Sequence, residues 1–234
     1  MNWKNADLVY FIQDSYSRLA DPAKAGPMAA YMKTDMPFFG IQKPQRIPIY
    51  REMKKRFVPS SREQYEAAIL VLWNLPHREE KYASIEYARQ HKQFLHADSF
   101  PVYEQLIREG AWWDLVDDIS TSIVTDTYLT SRPIVRPYIE RWISDSDKWI
   151  RRAAILAHNH HKDKTDSQQL FAHILKCAQE KDFFIRKAIG WALREYSYAD
   201  PSAVKLFLDT HRARLSSLSI REASKAMSRR GLLN

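Results

Sequence analysis

A tryptophan and an aspartate four residues apart, Trp113 and Asp117, have the types and the spacing for chemistry. In a helix both lie about 100° from an apolar stripe, so they share one face beside the core. A carboxylate beside an indole can oppose a developing positive charge. The structural alternative is that Trp113 packs against a neighbouring helix while Asp117 is solvated or caps a helix.

A second candidate group alternates cations with an indole. Lys187, Trp191 and Arg194 fall at i, i+4 and i+7, on one stripe of a predicted helix. Basic groups on either side of an exposed ring suit a nucleic-acid backbone, where the cations neutralise phosphates and the ring contacts sugar or base. The alternative is an amphipathic helix whose long basic stems shield the tryptophan.

Three further clusters give weaker signals. The histidine-rich segment favours no metal, because only two of its histidines have helical i, i+3 spacing and no Cys or Glu lies close. The single cysteine, Cys177, is predicted to be a buried, inert thiol. A basic face near the end of the chain is either a phosphate contact or a solvated helix end. The histidine segment comprises His158, His160, His161 and Asp163, and the basic face comprises Arg221, Lys225, Arg229 and Arg230.

Helical periodicity positions these groups almost throughout the chain. Ser60 and Ser61 precede an apolar face as a capping box does, and Gly110 is a predicted C-terminal cap of the helix after Pro101. No long stretch alternates apolar and polar residues as a β-strand does, so no sheet is predicted. The apolar face consists of Tyr65, Ile69, Leu72 and Trp73, and a second stripe consists of Trp112, Leu115, Val116, Ile119 and Ile123.

An internal repeat indicates how the helices are arranged. The octet beginning at Asp147 realigns with the octet beginning at Asp182, an offset of 35 residues, and both read acidic, aromatic, Ile, two basic and Ala. Such units favour stacked HEAT-like helix pairs that share one core. At this offset Arg152 is the counterpart of Lys187, so we expect both to project from the same side. The predicted fold is an all-α, curved solenoid with a concave basic face.

Composition limits the remaining function classes. The chain has 234 residues, of which 45% are hydrophobic, so a disordered chain is excluded; only five residues are glycine, which argues against Gly-rich nucleotide loops. No apolar run approaches the roughly 20 residues of a membrane span. A lone cysteine favours a reducing compartment, predicted to be the cytoplasm. The net charge of +8, with +1 on residues 1–117 and +7 on residues 118–234, suggests a polyanionic partner.

Six segments in order resemble the HEAT-like-repeat alkylpurine DNA glycosylases, the DNA alkylation repair or AlkD-like family. The resemblance covers roughly residues 5–230. The segments begin at Ala25 (AGPMAAYMK), Phe38 (FFGIQKP), Leu72 (LWNLPHRE), Trp112 (WWDLVD), Trp149 (WIRRAAIL) and Lys187 (KAIGWALREY).

The resemblance implies a single domain over residues 1–234 with a catalytic cleft of Trp113, Asp117 and Trp191. It implies that Arg152 holds the DNA backbone, and that Tyr31 and Gln42 contact the nucleotide or the opposite strand. The implied reaction is hydrolysis of the N-glycosidic bond of N3- and N7-alkylated purines in duplex DNA, without base flipping. A monomer is the simplest expectation for a groove that wraps duplex DNA, and neither a metal nor a cofactor is predicted. Lys187 and Arg194 are the further predicted DNA contacts.

Two other functions remain open at this stage. One is a non-catalytic HEAT-like protein that binds damaged or branched DNA through the same cationic face. The other is a helical-repeat scaffold for acidic proteins.

Overall fold

The computed structural model describes residues 3–232, and in that range the regular secondary structure is helical, with no strand. The prediction of an all-α fold is therefore confirmed. The chain divides into two compact units, Met1–Leu95 and His96–Asn234. No described helix combines the length and the apolar character that crossing a membrane requires.

The N-terminal unit is built from five α-helices among its described residues. Serine caps the fourth as predicted: Ser61 Oγ accepts from Gln64 N at 3.2 Å, and Gln64 Oε1 accepts from Ser60 N at 2.8 Å. The predicted apolar face of this helix is buried. The helices are α1 (Asn5–Leu19), α2 (Pro22–Met32), α3 (Lys43–Arg56), α4 (Arg62–Trp73) and α5 (Arg78–Gln90).

The C-terminal unit consists of successive helix pairs. The second helices of the pairs begin at residues 113, 148, 183 and 217, so consecutive starts lie 35, 35 and 34 residues apart. The helices are α6 (Phe100–Gly110), α7 (Trp113–Asp118), α8 (Thr125–Thr130), α9 (Arg132–Trp142), α10 (Lys148–Leu156), α11 (Ser167–Cys177), α12 (Phe183–Tyr196), α13 (Pro201–His211) and α14 (Ser217–Arg229). A π-helical segment, Ile119–Val124, joins α7 to α8.

The start of each helix in the predicted repeat follows the sequence signal. Asp147 Oδ1 accepts from Trp149 N at 2.8 Å, and Asp182 Oδ1 accepts from Phe184 N at 2.8 Å. Each aspartate satisfies an amide that the first helical turn leaves without a partner. The HEAT-like classification of these pairs and their curvature stay predictions, as does the single domain.

Two details of the sequence interpretation were wrong. Ala111, and not Gly110, carries the left-handed C-cap of α6, with φ 30°. The helix runs one residue further than the glycine signal indicated, and the alanine accepts a conformation that costs roughly 1 to 2 kcal/mol. Trp112 caps α7 rather than continuing its buried stripe, and its ring packs against Trp149 and Phe184 at centroid distances of 5.9 and 5.6 Å.

Candidate functional site

Asp117 lies near the end of α7 and forms a two-pronged ion pair with Arg152 of α10. Arg152 Nε donates to Asp117 Oδ1 at 2.6 Å and Arg152 Nη2 donates to Oδ2 at 2.7 Å. The planar guanidinium matches both carboxylate oxygens, so the pair fixes the orientation of the carboxylate. The Asp117 side chain is 16% exposed, so water and a substrate can still reach it.

Burial sets the protonation behaviour of Asp117. Burial raises the pKa of the carboxyl above its ordinary value, the hydrogen bonds and charge of Arg152 oppose that rise, and Asp114 adds to it. The net direction is upward, because removing a carboxylate from water disfavours its charged form. The group can therefore hold or release a proton at a higher pH than an exposed aspartate.

A π-helical segment follows Asp117 directly, and the sequence analysis did not foresee it. Three hydroxyl side chains of this segment donate to the carbonyls four residues earlier: Ser120 to Val116 O at 2.5 Å, Thr121 to Asp117 O at 2.8 Å, and Ser122 to Asp118 O. The widened turn loosens the regular backbone ladder, and hydroxyls satisfy the carbonyls instead. The run Ser120-Thr121-Ser122 was the available signal.

Arg152 is 4% exposed and already has partners for its donors. Besides Asp117, its Nη1 donates to the Phe184 carbonyl at the start of α12. Arg152 thereby links α7, α10 and α12. Its predicted contact with the DNA backbone stays a prediction, and in the free protein the guanidinium is engaged by Asp117.

The two predicted catalytic tryptophans lie half-buried on separate helices. Trp113 opens α7, one helical turn before Asp117, and Trp191 lies in the middle of α12. The Trp191 indole Nε1 donates to Glu195 Oε1 at 3.3 Å, one turn further along the helix. Neither tryptophan belongs to the packed cluster of Trp112, Trp149 and Phe184.

The predicted cationic stripe on α12 surrounds a carboxylate from α14. Lys187 Nζ lies 2.8 Å from Glu222 Oε1, Arg194 Nη1 lies 3.2 Å from Glu222 Oε2, and Lys225 Nζ lies 2.8 Å from Glu222 Oε1. Three cations share one acid, so the cluster keeps a net positive charge. Glu222 was not among the residues predicted from the sequence, although it continues the 35-residue series 117, 152, 187 and 222.

Both members of this series that are acidic pair with the cation 35 residues away. Asp117 pairs with Arg152, and Glu222 pairs with Lys187. The repeat therefore places a charge at the same register on each second helix, and the signs make α7 complementary to α10 and α14 complementary to α12. Lys187 and Arg194 stay predicted DNA contacts that have an acidic partner in the free protein.

Tyr31 and Gln42 belong to the N-terminal unit, where both line a groove of about 620 Å³. Tyr31 is 74% exposed, and Gln42 caps α3. The groove also contains Arg46, which is buried, stacks over the Tyr82 ring at 4.4 Å and donates from Nη1 to the Tyr50 hydroxyl at 3.1 Å. The sequence analysis did not single out this arginine.

A buried acid holds the loop that leads into this groove. The Glu79 carboxylate accepts from the backbone amides of Phe39, Gly40 and Ile41 at 3.1, 2.9 and 3.0 Å. Gly40 has φ 87°, and a Cβ there would lie 2.1 Å from the Asp21 carbonyl, so only glycine fits. This loop places Gln42 at the start of α3.

The weaker candidates take structural positions. His158 and His161 are buried: His158 Nε2 lies 3.1 Å from His173 Nδ1, and His161 Nε2 lies 3.0 Å from the Thr125 carbonyl. The described residues contain no group of three acidic, His or Cys residues that could hold a metal.

Cys177 is buried as predicted, and burial raises the pKa of its thiol to about 12. In the basic terminal face, Lys225 joins the Glu222 cluster, and Arg221 and Arg229 are exposed.

The chain is similar to known proteins both in sequence and in structure. The family model described as "DNA alkylation repair enzyme" matches residues 12–227. A solved structure described as a predicted DNA alkylation repair enzyme from Enterococcus faecalis is similar to this chain, with a TM-score of 0.82 and 28% identity, over 89% of this chain and 97% of that one. Among curated proteins, none matches this chain.

Proposed function

The chain belongs to the DNA alkylation repair enzyme family, and from this premise we propose that it is a DNA glycosylase that releases N3- and N7-alkylated purines. The observation that carries the proposal is the half-buried Asp117, oriented by Arg152 yet still reachable, one turn after the half-buried Trp113. A carboxylate that is held in a fixed orientation, at a site from which water is partly excluded, interacts strongly with a positive charge. The reaction would generate such a charge on the sugar.

Alkylation at N3 or N7 makes the purine cationic, so the base leaves without protonation by a general acid. As the N-glycosidic bond breaks, its electron pair moves onto the base and the deoxyribose gains oxocarbenium character. Asp117 opposes that charge and orients the water whose oxygen bonds to C1′. The released proton passes to the carboxylate or to solvent, and the products are a neutral alkylpurine and an abasic site.

Trp113 and Trp191 have a supporting role in this proposal. Their ring faces bound the sugar and interact with its developing positive charge, a contribution on the order of 0.5 to 2 kcal/mol each. The enzyme works on the sugar and leaves the base unenclosed, so no base-flipping pocket is required. This design tolerates bulky adducts and restricts the substrates to cationic lesions.

The proposed DNA contacts are distributed over both units. In the C-terminal unit they are Lys187 and Arg194, whose cluster with Glu222 keeps a positive charge for a phosphate, and Arg152. In the N-terminal unit they are Tyr31 and Gln42. A phosphate close to Arg152 competes with Asp117 for the guanidinium, so binding of DNA would free a carboxylate oxygen for the sugar.

We further propose that the enzyme acts as a monomer on duplex DNA in the bacterial cytoplasm, as a base excision repair enzyme that uses neither metal nor cofactor. The non-catalytic alternative has one observation in its favour: both Asp117 oxygens are engaged by Arg152. A protein that binds damaged DNA without cleaving the glycosidic bond would keep such a pair intact.

The direct test is incubation of the protein with a duplex containing one N7-methylguanine, followed by alkaline cleavage of abasic sites. We expect a strand break at the lesion that depends on the protein. Matched duplexes containing uracil or 1,N6-ethenoadenine should stay intact, because these bases are neutral. Absence of a break at N7-methylguanine would refute the glycosylase, and equal release of a neutral base would refute the mechanism.

A further inference from the structure

Glu195 is a polar side chain on α12 that the proposed mechanism does not use. Its Oε1 accepts from the Trp191 indole Nε1 at 3.3 Å, and its Oε2 lies 3.6 Å from His160 Nδ1. The two oxygens thus reach in different directions, one to a proposed catalytic ring and one to the loop between α10 and α11. The Glu195 side chain is 24% exposed, so these contacts are partly shielded from water.

The loop that carries His160 is firmly anchored. The Thr125 hydroxyl donates to the carbonyls of Ala157 and Asn159 at 3.1 and 2.5 Å, and His161 Nε2 lies 3.0 Å from the Thr125 carbonyl. Asn159 and His161 are buried. These contacts tie the backbone on both sides of His160 to α8 of the preceding helix pair, whereas the His160 side chain is 52% exposed.

His160 adopts a conformation that this anchoring must maintain. Its φ is 64°, in the left-handed region, which is unfavourable for a residue other than glycine. Such strain persists only where the surroundings impose it, and it is frequent at functional sites. Here the left-handed turn lets the His160 ring reach Glu195, which also lines a cavity of about 190 Å³ with His158, Lys162 and Tyr198.

A tryptophan in the middle of a helix still has freedom to rotate its ring. The Trp191 indole is half-buried, so packing covers only part of the ring. The hydrogen bond from its Nε1 to Glu195 therefore restrains the rotation of the ring. The interaction of a ring with a nearby cation depends on which part of the ring faces it. The angle of the indole therefore matters to a cationic sugar, and a small misplacement of a positioning group can cost a large factor in rate.

We propose that Glu195 is a positioning residue: held by His160, it fixes the rotation of the Trp191 indole so that the ring faces the reacting sugar. The catalytic consequence rests on the proposed glycosylase function, whereas the contact itself does not. Glu195 does not touch substrate in this proposal and acts only through Trp191.

The test combines a spectroscopic readout with single-turnover kinetics. In protein labelled with ¹⁵N-tryptophan, the Trp191 indole signal is assigned by its loss in Trp191→Phe. Glu195→Ala should shift or broaden that signal and lower the rate of base release about 10- to 100-fold with DNA affinity unchanged. Glu195→Gln keeps an acceptor oxygen and should retain most of the rate.

Two further variants complete the design. His160→Asn preserves the left-handed backbone, which asparagine tolerates, and should move the indole signal in the same direction as Glu195→Ala but less. Asp209→Asn removes an acid from an exposed i, i+4 pair with Lys205 at 2.8 Å and should change neither signal nor rate.

The proposal is overturned if the indole signal of Glu195→Ala coincides with that of the wild type. It is also overturned if Glu195→Gln loses as much rate as Glu195→Ala, because then the charge and not the hydrogen bond would matter. If the wild type releases no base, the glycosylase proposal fails, whereas the indole signal still decides whether Glu195 positions Trp191.

Discussion

Asp117 and Arg152 share two short hydrogen bonds, so the protonation of the carboxyl depends on this pair as well as on burial. Burial raises the pKa of Asp117 and Arg152 opposes the rise. The proposed reaction needs the ionised carboxylate. Activity should therefore decline as the pH falls through the raised pKa of Asp117.

Arg152→Gln removes the charge that lowers the pKa of Asp117. We expect the acidic limb of the pH–rate profile to move to higher pH by about one unit or more, measured as single-turnover base release with the enzyme in saturating excess over the DNA. Arg151→Gln is the matched control, because Arg151 pairs with Glu180 at 2.7 Å. An acidic limb that stays in place in Arg152→Gln would contradict the role given to the pair.

The resemblance placed Asp117 and Arg152 in one candidate site but implied different roles for them, Asp117 in the catalytic cleft and Arg152 on the DNA backbone. Helical spacing shows which residues share a face of one helix, and it does not show which side chains meet across helices. Their contact depends on the packing of α10 against α7. Glu222 and Glu195 escaped for the same reason, since an isolated glutamate in an amphipathic helix resembles an ordinary solvated residue.

Helices α12 and α14 approach each other closely at Gly190. A Cβ added there would lie 2.4 Å from Glu222 Cβ and 2.8 Å from the Ser219 carbonyl, so the glycine permits the contact that buries Glu222. Burial raises the pKa of Glu222, but the hydrogen bonds and charges of Lys187 and Lys225 outweigh it and lower the pKa to about 2. The ionised acid therefore stabilises the pairing of the two helices.

Because the pKa of Glu222 is lowered, the stability that its ionised carboxylate contributes depends on pH. It is fully present above the ordinary value of 4.5 and is lost as the pH falls towards about 2. Glu222→Gln should lower the free energy of unfolding by about 2 kcal/mol at pH 7, and the difference from wild type should shrink as the pH falls. Chemical denaturation at a series of pH values measures this, with Asp209→Asn as the control. A difference independent of pH would contradict it.

The sequence predicted elements well where a local signal determines them. Ser61, Asp147 and Asp182 cap helices as expected, because an N-cap needs only a side-chain oxygen near the first turn. The π segment and the left-handed Ala111 were not predicted. Neither has a strong local signal: Ala111 is not a residue type that favours the left-handed region, and the hydroxyl run at 120–122 is equally compatible with an ordinary helix.

The boundary between the two structural units changes how the net charge of the chain is divided. The division of the sequence at residue 117 concentrated the positive charge in the second half. The unit of residues 1–95 has 15 basic and 10 acidic residues, and residues 96–234 have 21 and 18, giving +5 and +3. Both units therefore carry a positive surplus, which favours proposed DNA contacts in each.

If phosphate contacts drive binding, affinity for duplex DNA should depend steeply on salt. Three such contacts predict a loss of roughly 40-fold between ~50 and 200 mM salt. The double variant Lys187→Ala/Arg194→Ala should flatten the slope of log affinity against log salt by about two, as measured by fluorescence anisotropy. Absence of duplex binding at low salt would instead favour the scaffold for acidic proteins.

In the proposed mechanism the Asp117 carboxylate promotes cleavage of the glycosidic bond. The most direct measurement compares Asp117→Asn with wild type in single-turnover release of N7-methylguanine, alongside their affinities for the same duplex. We predict a rate lower by about 100- to 1000-fold with affinity retained. Release at the wild-type rate by a variant that binds DNA normally would contradict the account.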